Sequence, residues 1–485
     1  MSNNFNKKFI EICEEEELIG ANIVVANENE ILEKCSFGYK DYTNKVPSDE
    51  NTIYRIASIS KTVGAIGLMQ LVEKGLVDLD EDISTYLGYK VRNPKYPNDV
   101  ITVKMITLQT SSIQDGYDDE NPAYDDIIKG YNGINGTYID VSLKELLTDT
   151  ESQYYTPYTY GNYKPGTRFC YSNFGCGIMA CIIEKASGEL YVDYMENHVF
   201  KPLGLDASFK AGRISAKDDI ANMYSPGKKD LYEWDKSRFI NSKLPIFELG
   251  NNFRGPAGGL FINMKDLSVI MRMFLNYGTY NGVTILKKET VEMMYQQEWA
   301  GTPSDVNDEY RGKAIQMRVI QGPNGFTYKG HTGGAYGVRS YMFFNLKYKI
   351  GGCFITNGFN KNISYSCDNL FAKSIKLWTE THSEYKLSNV LVKENEIVLD
   401  DRKIIQKNLF INNNFILGKS LADALNTLAI FNEDKLTYTF NFNNKEVVIE
   451  DLIIYRDEFY INLDETLNKL DIPFTKEDNN YKFTF

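Results

Sequence analysis

Histidine is scarce in this sequence. The chain has only three histidines in 485 residues, His198, His331 and His382, and they lie far apart without acidic residues at ligand spacing around them. Because protein metal sites are built from clustered histidine, cysteine and carboxylate side chains, this pattern argues against a metal centre. The sequence therefore predicts chemistry carried by side chains alone, with no metal and no other cofactor.

Positive charge and long apolar runs are lacking as well. Lysine and arginine total 53 against 65 acidic residues, a formal net charge of -12, which disfavours nucleic acid as a partner. No stretch approaches the roughly 18 apolar residues of a membrane span, and the N-terminus carries no signal-peptide pattern. We expect a cytoplasmic protein without a membrane span, or an extracellular one if a leader has been removed.

The seven cysteines are an odd number scattered through a long chain. This usage fits reduced thiols better than a disulfide framework. Cys176 and Cys181 lie in an apolar helical run and are predicted to be core residues. A length of 485 residues with 43% hydrophobic content is enough for more than one domain.

Local patterns predict an α+β first domain over residues 1–380. Residues 21–26 and 31–38 read as two strands around the polar turn "NENE", which is a hairpin signal. Apolar residues recur at helical spacing over 59–74. Residues 78–224 read as a mostly helical inserted lobe, after which "RSYMFFN" and "KIGGCFITNG" predict strands that complete the sheet.

The remaining segment, 386–485, shows no cluster of catalytic residue types. Its "LNTLAI", from Leu425, and "LNKLDI", from Leu467, lie 42 residues apart, and each precedes a polar turn and an aromatic strand. These repeats predict a small α+β domain of two helix-strand units. They are similar to the stalk repeats named after copper amine oxidase N-termini, which implies a protein or cell-wall partner and no metal.

The stretch "YRIASISKTVGAIGLMQLVEKG" places Ser58 and Lys61 at the start of the helix predicted over 59–74. Residues three apart share a helix face, so the lysine lies beside the serine. A lysine in an apolar environment has a lowered pKa and can take the proton of a serine hydroxyl. Free N–H groups at the helix start favour an oxyanion there.

The same Ser-x-x-Lys spacing recurs from Ser225 and from Ser383, where no apolar helix begins. By spacing alone, a capping serine with a solvated lysine remains an alternative at Ser58. A second element is Tyr171-Ser172-Asn173, just before another apolar helix. A phenol near an ammonium group can be held partly ionised and shuttle protons, and the Asn173 amide can anchor a substrate carbonyl.

A third element is His331-Thr332-Gly333-Gly334, predicted to open a strand. Small residues allow a substrate backbone to pair along a strand, Thr332 supplies a hydroxyl, and the Gly334 N–H could complete an oxyanion hole with that of Ser58. A tight turn for the glycines and a surface imidazole for His331 remain open alternatives.

The order and flanks of these elements resemble the serine beta-lactamase and penicillin-binding family over about 23–378. The branch with class C beta-lactamases, DD-carboxypeptidases, D-aminopeptidases and esterases is the most similar. The flanks "YRIASISK", "LMQLVEKGLVDLDEDISTYL", "FKPLGLDAS", "GPAGGLFINMKDL" and "CFITNG" carry this resemblance. It implies an antiparallel sheet flanked by helices and a mostly helical lobe, with the catalytic groups in the cleft between them.

The resemblance also implies roles for single residues. Ser58 is similar to the acylated nucleophile, Lys61 to its hydrogen-bonded base, Tyr171 to the second proton-transfer group and Asn173 to a substrate-amide anchor. His331, Thr332 and Gly333 stand where beta-lactamases usually have Lys-Thr-Gly, and the histidine version is similar to DD-carboxypeptidases.

The chain departs from the family pattern in "ITVKMITLQTSSI". Met105 and Gln109 stand where histidines are common, and Ser112 where a glycine is usual. Because this region borders the active site in the family, we expect a different pocket shape. Arg339 is a further candidate for holding a substrate carboxylate.

The sequence thus predicts a serine acyl-transfer hydrolase acting on short D-amino-acid peptides through an acyl-enzyme. An esterase or a beta-lactamase with the same residues is one alternative. A penicillin- or peptide-binding module that acylates without turnover is another. The sequence carries no signal for the oligomeric state.

Overall fold

The computed structural model describes residues 2–116, 129–227, 230–296, 298–300, 312–321, 327–346, 348–360, 368–382 and 392–399, and most of 407–483. The chain forms two compact units. The first comprises Met1–Val319 with Lys329–Leu377, and the second Ile320–Tyr328 with Trp378–Phe485. Within the described ranges no helix is both long and apolar enough to cross a bilayer.

A nine-stranded sheet is the main feature of the fold. Its strands, from edge to edge, are Trp299–Ala300, Gly312–Ala314, Met317–Gln321, Thr327–Ala335, Val338–Asn345, Ile350–Thr356, Gly20–Asn27, Ile31–Asp41 and Val46–Pro47. The described neighbours pair antiparallel, as in the register Val24↔Cys353. The α+β class with an antiparallel sheet, predicted from the sequence, is confirmed.

Helices cover both faces of the sheet. Every residue of Val338–Asn345 and Ile350–Thr356 is buried, so both faces of these two strands are covered. Helix Met264–Leu275 covers one face, where the Phe274 and Phe344 rings stack at 5.2 Å. Helix Ser2–Glu15 covers the other through Phe9 and Phe354. The sequence interpretation missed this helix, although Phe5, Phe9 and Cys13 repeat every four residues and are buried.

Helix Ile59–Glu73 is enclosed by the first unit. All its residues from Ile59 to Leu71 are buried, and Gly75 just beyond it has a left-handed φ of +68°. The predicted range of 59–74 therefore agrees closely with the structure. Other helices of this unit are Ile83–Leu87, Val103–Leu108, Gly130–Ile134, Leu143–Thr148, Asn173–Ser187, Tyr191–Met195, Ser237–Ile240, Lys288–Tyr295 and Asp368–Thr381.

The second unit is built mainly from strands. Seven of them form one sheet, in the order Leu452–Tyr455, Glu458–Asn462, Phe415–Leu417, Lys407–Ile411, Val392–Leu399, Asn480–Phe483 and Phe474–Glu477. A smaller sheet holds Leu428–Asn432, Thr437–Phe442 and Lys445–Ile449. Helix Leu463–Lys469 contributes Leu463 and Leu467 to a core that also contains Leu421 and Leu425. The helix predicted in the first repeat falls partly outside the described residues.

Candidate active site

Ser58 lies at the entrance of helix Ile59–Glu73. Its backbone is helical (φ -68°, ψ -8°), and its side chain makes no capping hydrogen bond. The preceding Ala57 has a φ of +51°, a region that non-glycine residues rarely occupy and that is often found at functional sites. The alternative of a capping serine at this position is therefore wrong. Ser225, which begins another Ser-x-x-Lys, lies in strand Met223–Pro226.

Two side chains converge on the Ser58 hydroxyl. Lys61 Nζ lies 2.9 Å from Ser58 Oγ, and Tyr171 Oη lies 2.9 Å from the same atom. Lys61 also donates to Asn173 Oδ1 at 2.9 Å and to the Ala257 carbonyl at 2.8 Å. Four of the residues singled out in the sequence are thus brought into one hydrogen-bonded cluster, in which Lys61 is completely buried.

Burial governs the protonation of this cluster. Removal from water lowers the pKa of Lys61 to about 8, while Cys176 and Asp115 oppose this shift and Arg55 adds to it. Burial raises the pKa of the Tyr171 phenol above its ordinary value. Tyr171 is therefore neutral at physiological pH, which is the reverse of the partial ionisation expected from the sequence. Lys61 is the group that changes charge near neutrality.

Asp115 forms hydrogen bonds with Asn173 and its neighbours, and the sequence interpretation did not identify it. Its carboxylate accepts hydrogen bonds from Asn173 Nδ2 at 2.7 Å, from the Phe174 N–H at 2.8 Å and from Ser172 Oγ at 3.2 Å. The bond to Nδ2 orients the Asn173 amide, so that its Oδ1 faces Lys61. Asp115 lies at the start of helix Asn173–Ser187, where a negative charge is favourable.

Asp115→Asn is expected to lower kcat about tenfold and to destabilise the fold by about 1–3 kcal/mol, because one of three bonded donors loses its acceptor. Loss of the negative charge should also move the acid limb of the kcat/KM profile to lower pH, since Asp115 raises the pKa of Lys61. Steady-state kinetics over a pH series and thermal unfolding measure both effects.

Asp82→Asn is the matched control. Asp82 accepts a hydrogen bond from the Ser84 N–H at 2.9 Å and pairs with Arg92 at 2.5 Å, outside the Ser58 cluster. The Asp82→Asn variant should lose stability without a change in kcat or in the pH profile of kcat/KM. If Asp115→Asn behaves in the same way, its effect is structural only, and the positioning role is wrong.

The strand Thr327–Ala335 carries His331, Thr332, Gly333 and Gly334 in its second half. These residues continue a strand instead of opening one, so the alternative of a tight turn is wrong. A Cβ at Gly333 would lie 2.3 Å from Ser340 Oγ and 2.4 Å from the Ile56 carbonyl. Only glycine fits there, and the strand backbone consequently passes close to the segment that precedes Ser58.

His331 is buried beside Tyr171, with the two ring centres 6.2 Å apart. Its Nδ1 lies 2.5 Å from the Thr332 carbonyl. Burial, together with the positive charges of Lys313 and Lys61, lowers the pKa of His331 well below its ordinary value. The imidazole is therefore neutral and enclosed, and the alternative of a surface imidazole is wrong. Gly334 pairs with Arg339 in the sheet.

Two further basic side chains, which the sequence did not single out, lie on the next two strands of the sheet after that of Thr332. Arg318 Nη1 donates to Thr332 Oγ1 at 2.6 Å. Lys313 is fully buried, and its ammonium lies 5.2 Å from the ring centre of Phe169. Strands Gly312–Ala314 and Met317–Gln321 supply them. Arg318 therefore places a positive charge beside Thr332, whereas burial lowers the pKa of Lys313 well below its ordinary value. Arg339 is buried with its Nη1 on the Val338 carbonyl.

Gln109 and Ser112, two of the residues that depart from the family pattern, form hydrogen bonds with nearby side chains. Gln109 ends helix Val103–Leu108 with a left-handed φ of +60°, and its Nε2 lies 3.3 Å from Gln316 Oε1. Ser112 also has a positive φ, +64°, and its hydroxyl accepts a hydrogen bond from Asn93. The positive φ explains why a glycine is usual at the position of Ser112.

The antiparallel sheet, its covering helices and the adjoining helical region have the fold shared by beta-lactamases, penicillin-binding proteins and related serine hydrolases. The chain belongs to the beta-lactamase family, whose model matches residues 5–372. It is therefore a member of a family of serine hydrolases.

Individual relatives are distant. Protein flp of Staphylococcus aureus (strain MRSA252) is 26% identical over 258 residues, 53% of this chain and 45% of that protein. The chain thus spans less than half the length of this curated relative. The octameric penicillin-binding protein homologue from Pyrococcus abyssi superposes with a TM-score of 0.58 and 21% identity, covering 95% of this chain and 99% of that one. The D-amino acid amidase from Ochrobactrum anthropi SV3 superposes with a TM-score of 0.57 and 20% identity, covering 78% of this chain and 99% of that one.

Proposed function

We propose that this protein is a serine acyl-transfer hydrolase that cleaves short D-amino-acid peptides of the DD-carboxypeptidase type. The observation that carries the proposal is the convergence of Lys61 Nζ and Tyr171 Oη on Ser58 Oγ, each at 2.9 Å. A hydroxyl becomes an effective nucleophile when a neighbouring base accepts its proton. The buried Lys61 amine, with its lowered pKa, is suited to this task.

The reaction proceeds in two steps. Ser58 Oγ bonds to the carbonyl carbon of the scissile amide while its proton passes to Lys61. The C–N bond then breaks, and the leaving amine takes a proton from Tyr171, which is reprotonated from Lys61. In the second step water attacks the acyl-enzyme, its proton returns through the same pair, and the carboxylic acid and free Ser58 are released.

Substrate binding in this proposal uses backbone and amide groups. The N–H groups of Ser58 and Gly334 stabilise the oxyanion. The Asn173 amide has its oxygen on Lys61 and one N–H on Asp115, so its second N–H is the donor for a substrate carbonyl. Gly333 lets the substrate backbone lie against the strand.

The positive charge near Thr332 favours a substrate that ends in a carboxylate. Arg318 supplies this charge and donates a hydrogen bond to Thr332 Oγ1. A peptide with a free C-terminus, such as one ending in D-Ala-D-Ala, brings the complementary charge, and the resemblance to D-amino acid amidase supports the stereochemistry.

Arg318→Met is expected to raise KM for a peptide ending in D-Ala-D-Ala about tenfold, because a charge-assisted hydrogen bond contributes roughly 1.5–3 kcal/mol. The same peptide with an amidated C-terminus should show little difference between Arg318→Met and the original protein. Steady-state kinetics on the two peptides measure KM of Arg318→Met relative to that of the original protein. An equal loss on both peptides would show that Arg318 acts on the fold or on Thr332 rather than on the carboxylate.

Time-resolved intact mass spectrometry tests the proposed function. The protein is mixed separately with a fluorescent penicillin, a D-Ala-D-Ala peptide and an aryl ester, and both adduct and product are followed. Cleavage of the peptide with an adduct on Ser58 supports the proposal. Turnover of the ester or the penicillin alone favours an esterase or a beta-lactamase, and a stoichiometric burst without turnover favours a binding module.

A further inference from the structure

A cavity of about 280 Å³ lies in the first unit and has predominantly apolar walls. Tyr191, Phe209, Phe239 and Phe261 are among its lining residues. None of the residues proposed above for catalysis or substrate binding, all of which the structure describes, contributes to this lining. The cavity is therefore distinct from the Ser58 site.

Arg254 places a buried guanidinium with one unbonded nitrogen in the wall of this cavity. Its side chain is only 7% exposed, with Nε donating to the Ile134 carbonyl at 3.3 Å and Nη2 to the Ile139 carbonyl at 2.7 Å. The third nitrogen, Nη1, is buried and has no hydrogen-bond partner within the described part of the chain. Burial lowers the pKa of this guanidinium.

Arg55 repeats this arrangement in the same cavity. Its Nη1 is also buried and unbonded among the residues that the structure describes. Its guanidinium lies 4.7 Å from the ring centre of Tyr336, and burial lowers its pKa. A buried N–H group without an acceptor costs free energy. Two such groups in one cavity indicate that an acceptor belongs there.

The acidic residue that lines the cavity does not fill this role. Glu184 Oε1 accepts a hydrogen bond from the Tyr191 N–H at 2.9 Å, and Oε2 accepts one from the Gly250 N–H at 2.7 Å and one from Asn252. Across the described residues no ion pair joins Glu184 to Arg55 or Arg254. Arg254 is attracted by the charge of Asp140 and lies over the rings of Phe247 and Phe253, but the buried Nη1 of each arginine still lacks a hydrogen-bond acceptor among the described residues.

We propose that this cavity binds a small organic carboxylate with an apolar body. The unbonded Nη1 groups of Arg55 and Arg254 are charged donors for carboxylate oxygens, and the aromatic walls suit a ring or a short alkyl chain. The volume is near the lower end of the roughly 300–1,000 Å³ typical of small-molecule sites. The ligand is therefore the size of an aryl-substituted acid and not of a long peptide.

The cavity shares a wall with the catalytic cluster. Gly255, Pro256 and Gly259 line it, while Ala257 in the same segment accepts the hydrogen bond from Lys61 at 2.8 Å. Arg55 ends the strand Ile53–Arg55, three residues before Ser58. A bound carboxylate would contact both segments that hold the catalytic pair, without touching that pair itself.

Calorimetric titration of Ser58→Ala protein with phenylacetate and with phenylacetamide tests the proposal. The Ser58 variant removes acylation, so the result does not depend on the proposed function. We expect phenylacetate to bind at least about tenfold more tightly than the neutral amide, because only the acid forms charge-assisted hydrogen bonds. Equal affinities, or no binding of the acid at about 10 mM, would overturn the proposal.

Arginine variants and a labelled ligand locate the binding. Arg254→Met and Arg55→Met should each weaken phenylacetate binding at least about tenfold. Arg238→Met should leave it unchanged, since Arg238 is exposed against Trp234. A crystal soaked with 4-iodophenylacetate should show the anomalous iodine signal inside the cavity, and this remains decisive if a variant fails to fold. A signal beside Ser58 and none in the cavity would refute the assignment.

Discussion

Ser58→Ala should lose all covalent labelling by penicillin and lower kcat/KM for any substrate at least about 10³-fold, because it removes the hydroxyl on which both Lys61 and Tyr171 converge. Its melting temperature should change little. A capping serine is ordinarily worth about 0.5–2 kcal/mol, but the Ser58 hydroxyl caps nothing and contacts Lys61 and Tyr171 instead. Intact mass and thermal unfolding measure the two effects.

Ser60→Ala provides the matched control for this variant. Ser60 lies two residues further along, is fully buried, and its hydroxyl accepts a hydrogen bond from the Leu260 N–H at 3.1 Å. Its removal should cost about 1–3 kcal/mol of stability through the orphaned N–H and leave labelling intact. Labelling that persists in Ser58→Ala, or disappears in Ser60→Ala alone, would assign the nucleophile elsewhere.

Lys61→Met should lower the acylation rate about 10²–10⁴-fold, the usual contribution of a general base. Methionine fills a similar volume without a titratable group, so this variant separates the chemistry from the packing. In the unmodified protein the acylation rate should rise with pH through about 8, where Lys61 loses its proton. That dependence should be absent from Lys61→Met.

Stopped-flow acylation by a fluorescent penicillin between pH 6 and about 10 measures the profile. Lys185→Met is the control, since Lys185 is exposed in the last turn of helix Asn173–Ser187, and it should retain the original rate and profile. A pH dependence around 8 that survives in Lys61→Met would show that another group titrates, and Lys61 would then be a structural donor.

Local patterns were sufficient for much of the fold. The helix predicted over 59–74 is found at Ile59–Glu73, and the strands predicted at 21–26 and 31–38 at Gly20–Asn27 and Ile31–Asp41. The helix is apolar along most of its length and the two strands flank a short polar turn, so short-range information suffices. Helix Ser2–Glu15 was missed because its apolar residues are few and its first turn is polar.

The sequence predicted the site residues that belong to recognisable motifs, but not the residues outside these motifs. Asp115, Arg318 and Lys313 carry no local signal, since each is a single charged residue in an unremarkable segment. Asp115 reaches Asn173 across 58 positions of sequence, and Arg318 reaches Thr332 across 14. The unbonded nitrogens of Arg55 and Arg254 likewise become visible only when burial is known.

The residue types, their order and the helical spacing of Ser58 and Lys61 follow from the amino-acid sequence alone, because neighbours three apart meet on any helix. The approach of Tyr171, 113 positions away, depends on how the helices pack. The lowered pKa of Lys61, the neutral states of Tyr171 and His331, and the positive cavity depend on exclusion of water. Desolvation belongs to the folded molecule as a whole, and no local stretch of sequence encodes it.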